Sequence, residues 1–296
     1  MKRRRIFFVS AAALVLVIVA LRVTGPASEP SYLGKPITYW IEPWQHHNME
    51  PESRVTAAFA EMDDKAIRWL VRALDWKPSS FRRAANRVLR RFDIVWADEP
   101  DRRERAAMAL GEIGARAVSA IPALENLRTN AVQPRAAASR HACTAALILI
   151  RQEPIPKAVE RMLQDPDPAA FGDLAMTLAF LGRAAVEAVP RMSAALDATN
   201  PPVVRANAAM ALGSIRSSPA ICVPALAGAL ATLEQPVQEQ VLSTLSAFGQ
   251  QARSASPQVV LLLSGSNRWV AARASNTLAV IDPETAKRYG IAQQEP

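Results

Sequence analysis

RERAAMALGEIGARAVSAIPAL, residues 103–124, holds two short helical phrases, and its reading decides the fold. In the first phrase Ala106, Ala107, Leu110 and Ile113 recur at the three-and-four spacing that lines one face of a helix. Gly111 and Gly114 loosen that helix, and Gly114 stands where a helix-ending residue belongs. In the second phrase Val118, Ile121, Leu124 and Leu127 repeat the spacing, with Pro122 among them. An interior proline removes a helical hydrogen bond and clashes with the preceding turn, so Pro122 marks a first turn or a bend. Each helix is too short to be stable alone and has a single apolar stripe to bury. The unit needs neighbours.

The neighbours follow along the chain. Pro122 is succeeded by Pro156, Pro190, Pro224 and Pro257, at steps of 34, 34, 34 and 33 residues. The first-helix register runs Leu110, Thr144, Leu178, Leu212, Leu245 and Leu278; the short loop runs Gly114, Ile148, Gly182, Arg216, Gly249 and Asp282. A fixed period of this length is the signature of stacked helical hairpins. The segments ALGEIGARAVSAIPAL (109–124), FLGRAAVEAVPRM (180–192) and RANAAMALGSIRSSPAICVPAL (205–226) resemble HEAT repeats, of the short type first noted in phycobilin lyases. The resemblance covers roughly residues 53–290. It implies an all-α, right-handed α-solenoid of about six to seven helical hairpins and says nothing specific of function.

Regular repeats are expected over 103–290, separated by Asp165-Pro166-Asp167-Pro168 and Asn200-Pro201-Pro202, and the last helix, around 270–280, keeps only the first half of the pattern. Before them, 51–102 reads as a degenerate first repeat plus an Arg-rich helix and an insertion. Val55, Ala58, Phe59 and Met62 form its first helix, Asp63-Asp64 turns the chain, and Ile67, Leu70, Val71 and Leu74 form the second. Arg68 stands where the repeat would place its proline. Phe81 to Phe92 is a further helix, with Phe81, Ala84, Ala85, Val88, Leu89 and Phe92 on one side and Arg82, Arg83, Arg87, Arg90 and Arg91 on the other. Five of the six tryptophans lie before residue 97 (Trp40, Trp44, Trp69, Trp76 and Trp96), so this part differs chemically from the alanine-rich remainder.

Residues 25–50 read as a linker and an aromatic N-terminal cap. Tyr32 to Trp44, YLGKPITYWIEPW, resembles the preface ahead of the repeats in exported or anchored bacterial HEAT proteins. It is either a peptide- or sugar-binding aromatic patch or a cap on the first repeat, and stacked repeats require a cap. Residues 1–24 are a targeting segment: Lys2, Arg3, Arg4 and Arg5 precede the uncharged run Ile6 to Leu21. The run is long for a signal core, so an uncleaved transmembrane anchor is the expectation, with a cleaved signal as the alternative. The basic residues stay cytoplasmic, which places the repeats outside the cytoplasm, tethered to the membrane or released as a secreted or periplasmic protein.

Residues that could carry chemistry are few. Cys143 and Cys222 fall two repeats apart, beyond disulfide reach, and read as small core residues. The three histidines are His46, His47 and His141. HEAT proteins of the deoxyhypusine hydroxylase type bind iron through His-Glu pairs, and no such pair occurs here. His46-His47 lacks the further ligands of a closed metal site, and His141 reads as a partly buried structural residue. No cofactor and no enzymatic activity are expected, and a lyase-like or metal-dependent role is the alternative that the relatives suggest. No small-molecule substrate is evident. The net charge is +8, and residues 65–105 carry twelve basic side chains against six acidic ones. That excess fits an ordinary solvated helix face or a binder of an acidic partner; nucleic acid is not expected behind an export signal. The reading that results is a membrane-tethered, non-catalytic scaffold for a protein partner, with Arg82, Arg83, Arg87, Arg90 and Arg91 as candidate partner-binding residues.

Overall fold

The computed structural model describes residues 29–41, 52–75, 99–130, 137–164, 169–232 and 234–291. The chain divides into two compact units, Met1–Arg72 and Ala73–Pro296.

In the first unit, β1 (Ser31–Tyr32) and β2 (Lys35–Pro36) pair antiparallel, with Ser31 opposite Pro36 and Tyr32 opposite Lys35. Leu33 (φ 49°) and Gly34 (φ 73°) join them, the two positive φ values that a twisted two-residue hairpin demands. This small bridge departs from the all-helical expectation. Its four residues are too few to show any alternating pattern in the sequence. The four-residue α1 (Ile37–Trp40) follows, and Ile37, Trp40 and Ile41 are buried. The indole of Trp40 donates to the Lys35 carbonyl at 3.3 Å and packs edge-on against Tyr39. α2 (Glu52–Leu74) turns a corner at Asp63 (φ 45°, ψ −140°). Ala58, Phe59 and Met62 are buried before the corner, and Ala66, Ile67 and Leu70 after it, which makes this the degenerate hairpin.

The second unit is a run of helical hairpins. Its first helices are α3 (Glu99–Ile113), α5 (Ala137–Ile150), α7 (Ala170–Leu181), α9 (Pro202–Ile215), α11 (Gln235–Phe248) and α13 (Arg268–Ile281). Its second helices are α4 (Ile121–Asn130), α6 (Ile155–Leu163), α8 (Val189–Ala194), α10 (Pro219–Ala229), α12 (Ser256–Leu261) and α14 (Pro283–Arg288). Each first helix packs on the next, from α3 through to α13, and α10 packs on both α8 and α12. A continuous buried cluster runs from Ala145 to Ala286.

Three corners are alike. Gly114 (φ 66°), Gly182 (φ 53°) and Gly249 (φ 58°) end the first helix, and each opens a seven-residue 3₁₀ segment: Gly114–Ala120, Gly182–Ala188 and Gly249–Ala255. The second helix then starts, with Pro122, Pro190 and Pro257 as its second residue, where a missing N–H costs nothing.

The other three hairpins depart from this, and one expectation is corrected. Ile148 does not sit in a loop: it is 2% exposed inside α5, because a β-branched residue cannot take the positive φ of the corner. The helix runs on to Ile150, and Gln152 (φ 53°) turns the chain instead. In the fifth repeat Arg216 (φ 46°) and Ser218 (φ 52°) make the turn without a 3₁₀ segment. Helix α10 therefore begins early, at Pro219, and Pro224 falls in its interior. The final hairpin has a complete first helix and a six-residue second one, α14, capped by the Asp282 carboxylate, which accepts from the Thr285 N–H at 3.2 Å.

Small residues recur at one register position of the first helices: Gly111, Ala145, Ala179, Gly213, Ser246 and Ala279. A Cβ on Gly111 would stand 3.1 Å from the Ala146 Cα, and one on Gly213 would stand 2.9 Å from the Thr244 hydroxyl. Close approach lets side chains bond to the neighbouring helix: Thr244 donates to the Ala209 carbonyl at 2.8 Å, and Thr277 to the Leu242 carbonyl at 3.2 Å.

Candidate functional site

Arg82, Arg83, Arg87, Arg90 and Arg91, the candidate partner-binding residues, lie outside the described residues. So do the apolar run Ile6 to Leu21, His46, His47, Trp44, Trp76 and Trp96. What the structure offers in the first unit is the neighbouring part of the basic stretch. Lys65, Arg68 and Arg72 line a cavity of about 730 Å³, at the three-to-four spacing of one helix face. Glu29, Glu61, Asp63 and Asp64 line it too. Among the described residues lining this cavity the carboxylates outnumber the basic groups, so these residues offer an acidic ligand no net attraction. The basic excess of 65–105 resides further along the chain.

The aromatic segment serves as packing. Ile37 is fully buried, and Trp40 and Ile41 nearly so. The Lys35 ammonium sits 3.9 Å from the Tyr39 ring centroid and donates to the Tyr39 hydroxyl at 2.6 Å. A ring already covered by a cation is a poor open platform for a sugar or peptide.

In the second unit the nucleophile and metal candidates are spent on the fold. His141 is 8% exposed, with Nε2 3.5 Å from an Asp173 carboxylate oxygen. Burial lowers its pKa; Asp173 opposes the shift and Arg140 adds to it. Burial pushes the Cys143 thiol up to about 12 and the Cys222 thiol to about 11, so both stay protonated and unreactive. The Cys222 thiol donates to the Ser217 carbonyl at 3.2 Å, and neither cysteine forms a disulfide. Among the described residues no group of three or more His, Cys, Asp or Glu side chains could hold a metal ion.

Arg205 and Gln238 occupy equivalent register positions and fasten the loops between repeats. Arg205, buried, donates to the Asn200 carbonyl at 3.1 Å and to the Glu234 carboxylate at 2.5 Å; that bond holds Glu234 below the usual carboxylate range. Gln238 donates to the Thr232 carbonyl at 2.6 Å.

The solvent-facing register holds a feature that the sequence reading missed. Val203, Pro236 and Trp269 are each the second residue of a first helix, in α9, α11 and α13, and all three are exposed. Val203 and Trp269 are each 65% exposed, and the Arg268 guanidinium lies 5.2 Å from the Trp269 ring centroid. Neighbouring packed helices lie about 8–10 Å apart, so these residues form a ladder of apolar groups at that spacing. The signal was the period itself, at steps of 33 residues, read at an exposed position instead of a buried one.

Residues 102–130 match the family model described as PBS lyase HEAT-like repeat. No curated protein matches the chain. Among solved structures, the chain is similar to the karyopherin Kap121p bound to the extreme C-terminus of the protein phosphatase Cdc14p, with a TM-score of 0.43 and 15% identity over 86% of this chain and 30% of that one. It is likewise similar to Kap121p bound to Pho4p, with a TM-score of 0.43 and 16% identity over 86% of this chain and 30% of that one. The chain thus spans less than a third of the length of these karyopherins. Residues 102–130 thus carry a HEAT-like repeat, and helical hairpins packed on one another follow it along the second unit.

Proposed function

We propose that this protein is a non-catalytic scaffold that docks a protein partner on the outer surface of its repeats, held at a membrane by the basic and apolar N-terminal segment. The observation that carries the reading is the exposed ladder Val203, Pro236 and Trp269. A soluble chain rarely presents large apolar groups in register at the surface unless something covers them. Their spacing suits a polyproline II segment, which has three residues per turn and rises about 3.1 Å per residue, so that every third residue faces a successive rung. The histidine and cysteines of the described region are committed to packing, which favours binding over chemistry.

The order of basic residues before the apolar run supports an orientation with the repeats outside the cytoplasm, anchored or released by cleavage. A second reading rests on Arg82, Arg83, Arg87, Arg90 and Arg91 as an electrostatic surface for an acidic partner, since five arginines fall on one side of the expected helix.

Affinity purification from native membranes after crosslinking tests both. Val203→Asp with Trp269→Ala removes the partner if the ladder is the docking surface; reversing charge at Arg83, Arg87 and Arg90 removes it if the second reading holds. Unchanged recovery in both variants contradicts the pair.

A further inference from the structure

The repeat in which Ile148 replaces the corner glycine leaves a cavity of about 480 Å³ between α4, α5 and α6. Its wall is basic. Arg128 reaches it from the last turn of α4, Arg151 from the end of α5, and Lys157 and Arg161 from α6; Glu153 is the one acidic residue among the described residues lining it. Two of these cations are neutralised. Arg151 pairs with Glu125, and Arg161 grips both oxygens of Glu153, at 3.0 and 2.9 Å. That grip, aided by Lys157 and Arg151, holds the Glu153 carboxyl below its usual range, so it stays ionised.

Arg128 and Lys157 are different. Neither has an ion pair or hydrogen bond among the described residues, and the Arg128 Nε is buried with no partner. A buried charged donor left unmatched destabilises the fold, and a guanidinium fork matches the two oxygens of a carboxylate or phosphate. The cavity thus keeps two uncompensated positive charges.

We propose that this cavity is an oxyanion-binding site, which takes a phosphate or carboxylate group between the Arg128 guanidinium and the Lys157 ammonium. The site stands independently of the docking ladder. The same oxygen chemistry has two sources, a free anion or a carboxylate carried on a peptide, and the test separates them.

The full chain, kept in solution with a non-ionic detergent, is titrated calorimetrically at constant ionic strength with inorganic phosphate and, separately, with a blocked Asp-Glu dipeptide. Saturable binding at one site per chain is expected for at least one probe, and which probe binds identifies the source. Lys157→Gln weakens it by about tenfold or more, as loss of a charge-assisted bond does, and Arg128→Met abolishes it while retaining the apolar stem. Arg191→Gln, an exposed arginine on α8 outside the cavity, leaves it unchanged. Lys157 is exposed, so its variant decides the question even if Arg128→Met unfolds. Absence of saturable binding for both probes, or wild-type affinity in Lys157→Gln, overturns the proposal.

Discussion

Asp63 occupies a backbone conformation (φ 45°, ψ −140°) that its counterparts Gly182 (53°, −130°) and Gly249 (58°, −141°) reach without a Cβ penalty. A side chain held in that region costs about 1–3 kcal/mol. Asp63→Gly is therefore expected to stabilise the first unit by about 1 kcal/mol, and Gly182→Asp to destabilise the second by a similar or larger amount; urea titration of each variant measures both. The sequence made Asp63-Asp64 legible as a turn. It did not reveal that the turn copies the glycine corner, because aspartate is an ordinary turn residue and signals no particular conformation. His141 offers a pH test. Its folded pKa lies below the ordinary value of about 6.5, chiefly through burial, so between the two values the unfolded chain binds more protons. Its contribution to stability is therefore complete above about pH 6.5 and is lost as the pH falls toward the folded value. The wild type should lose denaturant resistance over that window, and His141→Gln should lack that component of the loss.

At the level of elements, the 34-residue register predicted the helices of the second unit because hydrophobic spacing and the recurrent proline point the same way. What it could not separate was corner geometry. Repeats with glycine at the loop position use a 3₁₀ segment; Ile148 continues the helix, and Arg216 turns in the left-handed region. All three solutions fit nearly the same number of residues, so the period is blind to them. The basic cavity lies at one such departure, and the period carries no mark of it. The crossing of α9 and α11 is testable by a double-mutant cycle. Gly213→Ala alone brings a methyl against Thr244, whose hydroxyl is fixed to the Ala209 carbonyl, and the clash offsets the usual helical gain of about 1 kcal/mol. In a Thr244→Ala background the same substitution should recover that gain. Equal effects in both backgrounds, measured by thermal unfolding, would show that the helices do not cross closely there.

At the level of the second unit, each hairpin touches its neighbours and the core is continuous, so a lesion in the middle should propagate along the stack. Leu212 is fully buried in α9, and Leu212→Ala is expected to cost about 2–5 kcal/mol and to broaden the unfolding transition as flanking repeats separate. The fold was legible because burying one stripe per helix leaves few options. The surface was not, because an exposed residue obeys no packing rule, and Val203, Pro236 and Trp269 stand out only once their helices are aligned. The central functional claim is that these rungs meet a protein partner. The most direct test places a photo-crosslinking residue at position 203, 236 or 269 in turn, and at Arg191 as an exposed control, in cells that carry the native membrane. One and the same crosslinked polypeptide is expected from all three ladder positions and none from the control; no adduct at the ladder, or equal adducts at the control, would contradict docking there.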